Sequence, residues 1–116
     1  MSRVLLITAF LASNALGQST IAVKCQKVGD LAETSAKFAV AGIGVERAIS
    51  KSFELYPDYP KHLITYEVPI AFYALKELQR RLPNPPAYAE NGQTWNAYWV
   101  TEFRKSRQEA CVIALS

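Results

Sequence analysis

The sequence predicts an all-α fold, a small four-helix bundle closed by one disulfide. Apolar residues repeat with a helical period in four segments, glycine or proline separates these segments, and two cysteines flank them. The chain has 116 residues, 50% of them hydrophobic, and a formal net charge of +3. This composition excludes a disordered chain and a pair of ordinary domains, and it does not suggest a nucleic-acid binder.

The N-terminal segment, residues 1–17, has the three-part pattern of a cleaved secretory signal peptide. Arg3 precedes a long apolar run, and small residues precede the cut, which we predict between Gly17 and Gln18. As a helix the run would rise about 20 Å, which is short of the roughly 30 Å of a bilayer core. A retained membrane anchor and a buried first helix of a cytosolic protein are the alternatives.

We therefore expect an exported protein, periplasmic or secreted, with a single mature domain over residues 18–116 and no stable membrane insertion after cleavage. An oxidising compartment favours a bridge between Cys25 and Cys111. It would close a loop of about 86 residues and contribute roughly 4–5 kcal/mol in the chain-entropy description. A redox-active pair, an intermolecular bridge and two free thiols are the alternatives, and the lack of a Cys-x-x-Cys spacing disfavours the first.

The first two helices are predicted on either side of a glycine turn. One apolar stripe predicts a helix at about 23–41, and a second predicts one at about 45–56. Gly42 and Gly44 bracket Ile43 between them, which favours a left-handed helix cap closed by the isoleucine.

The third helix is predicted at about 63–82, after a loop with two prolines. Pro69 lies inside it and predicts a kink or a late start near Val68, because proline lacks the N–H that would bond to Thr65. The alternation of apolar residues over 64–68 leaves a short strand as the less favoured interpretation.

A second proline-rich loop precedes the fourth helix, predicted at about 95–113 with Thr94 as its N-cap. Helical spacing predicts that its apolar face is directed towards the core. The members of that face are Trp95, Trp99, Phe103, Ser106, Ala110 and Ile113.

No convergent catalytic or metal-binding set stands out, so we expect no catalytic residue, no metal and no cofactor. His62 is the only histidine. Glu67 and Glu102 border apolar stripes, and a buried pair of them is the weak enzymatic hypothesis. The basic clusters at 80–81 and 104–107 are interpreted as helix-end electrostatics and a source of solubility, and no nucleic-acid partner is expected. Contact with an anionic partner or lipid surface is the alternative.

The aromatic residues give the strongest signal for a binding surface, because Tyr and Trp are enriched at interface hot spots. Tyr59, Tyr88 and Tyr98 lie in loops or off the apolar stripes, and we predict that they bind a protein partner.

The layout of an export signal, Cys25, helices and Cys111 resembles small exported bacterial helical proteins, among them periplasmic immunity proteins, envelope inhibitors and acid-stress chaperones. No sequence motif allows functional residues of those proteins to be assigned to positions of this chain. We expect a non-enzymatic protein that works through protein contacts, as an inhibitor, immunity protein or accessory factor. A small envelope-acting hydrolase and an acid-stress periplasmic chaperone are the alternatives.

Overall fold

The structure, a computed structural model, describes residues 2–116, with side chains described from Thr20 onward. This part of the chain forms four helices, and the predicted all-α bundle is confirmed. The helices are α1 (Ser2–Val40), α2 (Val45–Leu55), α3 (Lys61–Arg81) and α4 (Trp95–Leu115).

Residues 2–17 of the predicted signal segment lie in the N-terminal half of α1. The side chains of residues 1–17, and of Gln18 after the predicted cut, lie outside the described ones, so cleavage stays a prediction. Within the described residues no helix combines the length and the hydropathy that a membrane crossing requires.

Helix α1 begins earlier than the predicted residue 23, because its backbone is helical from Ser2. The stretch before residue 23 contains no proline, so nothing in it interrupts the helix. At its other end the predicted cap is confirmed. Gly42 has φ +78°, and the N–H of Ile43 donates to the carbonyl of Phe38 over 3.0 Å, as in a Schellman motif.

Helices α2 and α3 match their predicted ranges to within two residues. Helix α3 starts at Lys61, so the late start near Val68 and the short strand are both wrong. The buried residues Ile64, Val68 and Ala71 explain this result, because their spacing of four and three residues is helical. Pro69 lies inside the helix, and the kink there stays a prediction.

The core forms on both sides of the central pair α1 and α3. On one side α2 packs against this pair, and the buried residues are Leu31, Ala48, Ile64 and Val68. On the other side α4 completes a second cluster, formed by Ala32, Ala36, Ala71, Val100 and Phe103. Small alanines at this second contact allow the helices to approach closely.

Helix α4 is rotated relative to the predicted apolar face. Phe103 is buried and Trp99 packs beside it, as predicted, but Ile113 is 77% exposed and Trp95 lies outside the core. Val100 takes an inward position instead. The rotation directs two arginines of α4 towards carboxylates on other helices, and a hydrophobic pattern takes no account of such charge pairs.

The disulfide joins α1 to α4 as predicted. The Cys25 and Cys111 Cα atoms are 5.5 Å apart, and the two cysteines are 86 positions apart in sequence. The ion pair of Asp30 with Arg104 lies farther along the same two helices, so α1 and α4 run antiparallel. Helix α4 ends at Leu115, four residues beyond its cysteine, and this end therefore lies opposite about residue 21 of α1.

Candidate functional site

The loop of residues 83–94 is folded on itself by local hydrogen bonds. The backbone N–H of Ala89 donates to the carbonyl of Gln93 over 2.8 Å, and the N–H of Gly92 donates back to Ala89 over 3.0 Å. Gly92 has φ +86°, a conformation that glycine adopts without the steric cost of a side chain. The side chain of Asn91 bonds to that of Gln93 over 2.9 Å, so the turn is braced by side chains as well.

This turn carries Tyr88 to the start of α4. Tyr88 forms an isolated antiparallel bridge with Thr94, and the N–H of Trp95 donates to the carbonyl of Ala87 over 3.1 Å. Thr94 is the predicted N-cap and accepts a hydrogen bond from the N–H of Ala97 over 3.3 Å. The loop and the first turn of α4 are thus held together by backbone and cap bonds.

The result is a surface cleft of about 640 Å³, which we name the aromatic cleft. Tyr88, Trp95 and Tyr98 line it, together with Glu90 and Pro86. The rings of Trp95 and Tyr98 are 5.6 Å apart and tilted, while Tyr88 is 65% exposed. Two of the three tyrosines predicted to bind a partner therefore meet in one cleft, and the tryptophan predicted for the core joins them.

Tyr59, the third predicted tyrosine, lies elsewhere and is engaged within the molecule. Its hydroxyl donates to Asp30 over 3.1 Å, and its ring stacks on Tyr56 at 4.6 Å with the amine of Lys27 5.3 Å from its centre. Burial, reinforced by the bond to Asp30, raises the pKa of the Tyr59 phenol to about 12. Tyr59 thus braces α1 against the loop before α3.

Two other tyrosines, not selected from the sequence, are highly exposed. Tyr66 is 67% exposed and Tyr73 is 77% exposed, both on α3. Their signal was present in the sequence, because they lie seven residues apart and off the apolar stripe of their helix.

Interhelical ion pairs between α1 and α4 centre on Arg104. This side chain donates to Asp30 over 2.8 Å and to Glu33 over 2.7 Å. Burial alone would lower the pKa of Arg104, but the two carboxylates outweigh it and raise that pKa above its ordinary value.

A second arginine of α4 pairs with a buried carboxylate of α3. Arg107 donates to one oxygen of Glu67 over 2.6 Å and to the other over 2.9 Å, and Glu67 is only 3% exposed. Glu102 lies apart at the surface, 3.9 Å from Lys105. The hypothesis that Glu67 and Glu102 form a buried acid–base pair is therefore wrong, because each carboxylate faces a cation on α4.

The sequence contained a signal for these pairs. Arg104 and Arg107 precede Cys111 by seven and four residues, so they share the face of α4 that the disulfide turns towards the other helices. The interpretation of these arginines as helix-end electrostatics missed this face.

A groove of about 610 Å³ opens beside the disulfide, and we name it the disulfide groove. It is lined by α1, the start of α3 and the end of α4. His62, Glu67, Arg107 and Cys111 contribute to it. Among the described side chains, no group of three or more His, Cys, Asp or Glu is arranged to hold a metal ion.

No family model, no curated protein sequence and no solved structure matches the chain.

Proposed function

We propose that this chain is a small exported helical protein that acts by binding another protein through the aromatic cleft, as an inhibitor, an immunity protein or an accessory factor. The observation that carries the proposal is the convergence of Tyr88, Trp95 and Tyr98 on one cleft. These residue types give large, rigid contact areas with a polar group at one end, and they dominate binding energy at many protein interfaces.

The loop strengthens the proposal because its hydrogen bonds hold Tyr88 in position before any partner arrives. A surface that is ordered in advance loses less conformational entropy on binding than a flexible one does. Glu90 is the carboxylate at the edge of this cleft. A partner that offers a lysine or arginine beside aliphatic side chains would satisfy both the aromatic faces and the carboxylate.

Export is supported by the register of the bundle. Helix α4 ends opposite about residue 21 of α1, so a chain that begins at Gln18 keeps all of α1 that faces α4. The Cys25–Cys111 disulfide is typical of a protein in an oxidising compartment. N-terminal sequencing of the protein recovered from outside the cytoplasm should begin at Gln18, and an intact Met1 there would contradict cleavage.

The hydrolase alternative draws on His62 and Glu67, which line one groove. Both oxygens of Glu67 accept hydrogen bonds from Arg107, and this arrangement leaves the carboxylate poorly suited to take a proton from a substrate. The acid-stress chaperone alternative is based on the ion pairs that Asp30, Glu33 and Glu67 form between helices with arginines of α4.

The partner-binding proposal is tested by affinity capture with an exposed tyrosine removed. The full chain, expressed with its own N-terminus in a bacterial host, is captured under non-reducing conditions as wild type, as Tyr88→Ala and as Tyr73→Ala. Tyr73 is the matched control, since it is equally aromatic, more exposed and outside the cleft. We expect a protein that is retained by wild type and Tyr73→Ala and lost with Tyr88→Ala.

Equal retention by all three proteins would reject the cleft as the binding surface. Retention of no protein, combined with acid- or substrate-dependent activity of the purified chain, would instead support one of the two alternatives. Thermal unfolding of each variant checks that the fold persists, and the exposure of Tyr88 predicts little change.

A further inference from the structure

The disulfide groove lies at the opposite end of α4 from the aromatic cleft, and it has a different chemistry. Its walls come from three helices and are mainly apolar. The apolar residues of the lining include Val28 of α1, Leu63 of α3, and Ala114 and Leu115 of α4. Its volume, about 610 Å³, lies within the range of pockets that hold small molecules, roughly 300–1,000 Å³.

Positive charge is concentrated on one wall of this groove. Lys24 and Lys27 both line it from α1, three residues apart and therefore on neighbouring turns of one helix face. Lys24 is exposed and Lys27 is half-buried. His62 adds a further nitrogen base from the first turn of α3.

The one carboxylate of the lining does not cancel this charge. Glu67 accepts from Arg107 through both oxygens, so these two residues neutralise each other. Lys24 and Lys27 then supply the positive charge of the lining, and the amine of Lys27 also lies 5.3 Å from the ring centre of Tyr59. An apolar channel with two cations at one side complements a molecule that is anionic at one end and apolar along the rest.

We propose that the disulfide groove binds a single-chain anionic amphiphile of the fatty-acid class, with its carboxylate at Lys24 and Lys27 and its acyl chain along Val28, Leu63 and Leu115. This site is distinct from the partner surface at the aromatic cleft and does not depend on it. The groove has walls from α1, α3 and α4, and a narrow flexible chain fits between such walls better than the broad surface of a folded protein does.

The site is tested by calorimetric titration of the oxidised full chain with dodecanoate, below the concentration at which this acid forms micelles. We expect saturable binding near one molecule per chain. The double variant Lys24→Gln, Lys27→Gln should weaken it roughly tenfold, which corresponds to about 1.4 kcal/mol, because the charged contacts to the carboxylate are lost. Lys76→Gln is the matched control, as an exposed lysine of α3 outside the groove.

Two further compounds separate the contribution of the ligand's charge from that of its alkyl chain. Dodecanol has the same alkyl chain as dodecanoate and lacks the carboxylate. It should bind to wild type more weakly than dodecanoate does, and the two compounds should bind equally well to the double lysine variant. Acetate, which has the carboxylate without the chain, should give no saturable heat. Leu115 lies at the end of α4 and is 46% exposed. Leu115→Gln should therefore weaken the binding of dodecanoate without unfolding the bundle.

The proposal is overturned if dodecanoate fails to bind, or if it binds with the same affinity to wild type and to the double lysine variant. Saturable binding of a short acidic peptide, without binding of dodecanoate, would also overturn it and would assign the groove to a protein segment. None of these results bears on capture through Tyr88, so failure here and failure of the proposed partner surface are distinguishable.

Discussion

The two ends of α4 are held in place by different kinds of contact. At its start, bonds between residues close in sequence fix the aromatic cleft, such as the N–H of Trp95 to the carbonyl of Ala87. At its end, contacts between residues far apart in sequence dominate. Arg107 pairs with Glu67 across 40 positions and Cys111 bonds to Cys25 across 86.

This difference has consequences for stability and for binding. The disulfide persists in the unfolded chain and restricts it across 86 positions, so its loss should cost the most free energy of unfolding. The local hydrogen bonds at the start of α4 do not restrict the unfolded chain, but they determine the shape of a binding surface. We therefore expect variants at the disulfide end to change stability strongly, and variants at the loop end to change binding more than stability.

The largest effect is expected from removal of the disulfide. The double variant Cys25→Ala, Cys111→Ala should lose roughly 4–5 kcal/mol of the free energy of unfolding, because the bridge closes a loop across 86 positions. Urea denaturation measures this loss, and reduced wild type should match the variant. A loss below about 1 kcal/mol would contradict the idea that this end carries the stability.

The next effect is expected at the buried ion pair. Arg107→Met leaves the carboxylate of Glu67 buried without a partner, and such changes cost roughly 3–5 kcal/mol. Adding Glu67→Gln to that variant should recover much of the loss, since the unpaired charge disappears. Lys105→Met at the surface is the control in the same denaturation assay. An equal loss of stability in that control would contradict a special contribution of the buried ion pair.

A smaller effect is expected at the start of α4. Thr94→Ala removes the hydroxyl that accepts from the N–H of Ala97, and loss of an N-cap costs about 1 kcal/mol. Thr94→Ser retains the hydroxyl and should behave as wild type in thermal unfolding. A loss as large as that of the cysteine variant would mean that the two ends are equally critical to stability.

The last effect appears only in alkaline solution. Because the pKa of Tyr59 rises from 10.0 to about 12 in the fold, the folded state holds the phenolic proton more tightly than the unfolded state does. This contribution is complete below pH 10 and disappears as the pH rises to about 12. Tyr59→Phe should flatten the pH dependence of stability in that interval, whereas Tyr73→Phe should leave it unchanged.

The parts of the fold that depend on local chemistry could be predicted from the sequence. Gly42 ends α1, Thr94 begins α4, and helical spacing identifies Ile64 and Val68 as core. The inward face of α4 could not be predicted from hydrophobicity, because Arg104 occupies a position that faces carboxylates on another helix. Those carboxylates lie near Arg104 only because of how the helices pack against each other.

Part of the candidate site could likewise be predicted from the sequence, and part of it could not. Tyr88 and Tyr98 were predicted from their positions off the apolar stripes, and the structure brings them together. Tyr59 has the same sequence signature, yet it bonds to Asp30 on α1. The disulfide groove was not predicted, because its walls come from three helices and the spacing of residues along any one helix contains no record of it.

The disulfide also determines how the molecule responds to mechanical force. A pull on the two chain ends passes from the residues before Cys25 through the sulfur–sulfur bond to the residues after Cys111. The helical segments between the two cysteines bear none of that load. The bridge withholds roughly 290 Å of extended chain from stretching, at about 3.4 Å per residue. Reduction would transfer the whole load to the packing of α1 against α4.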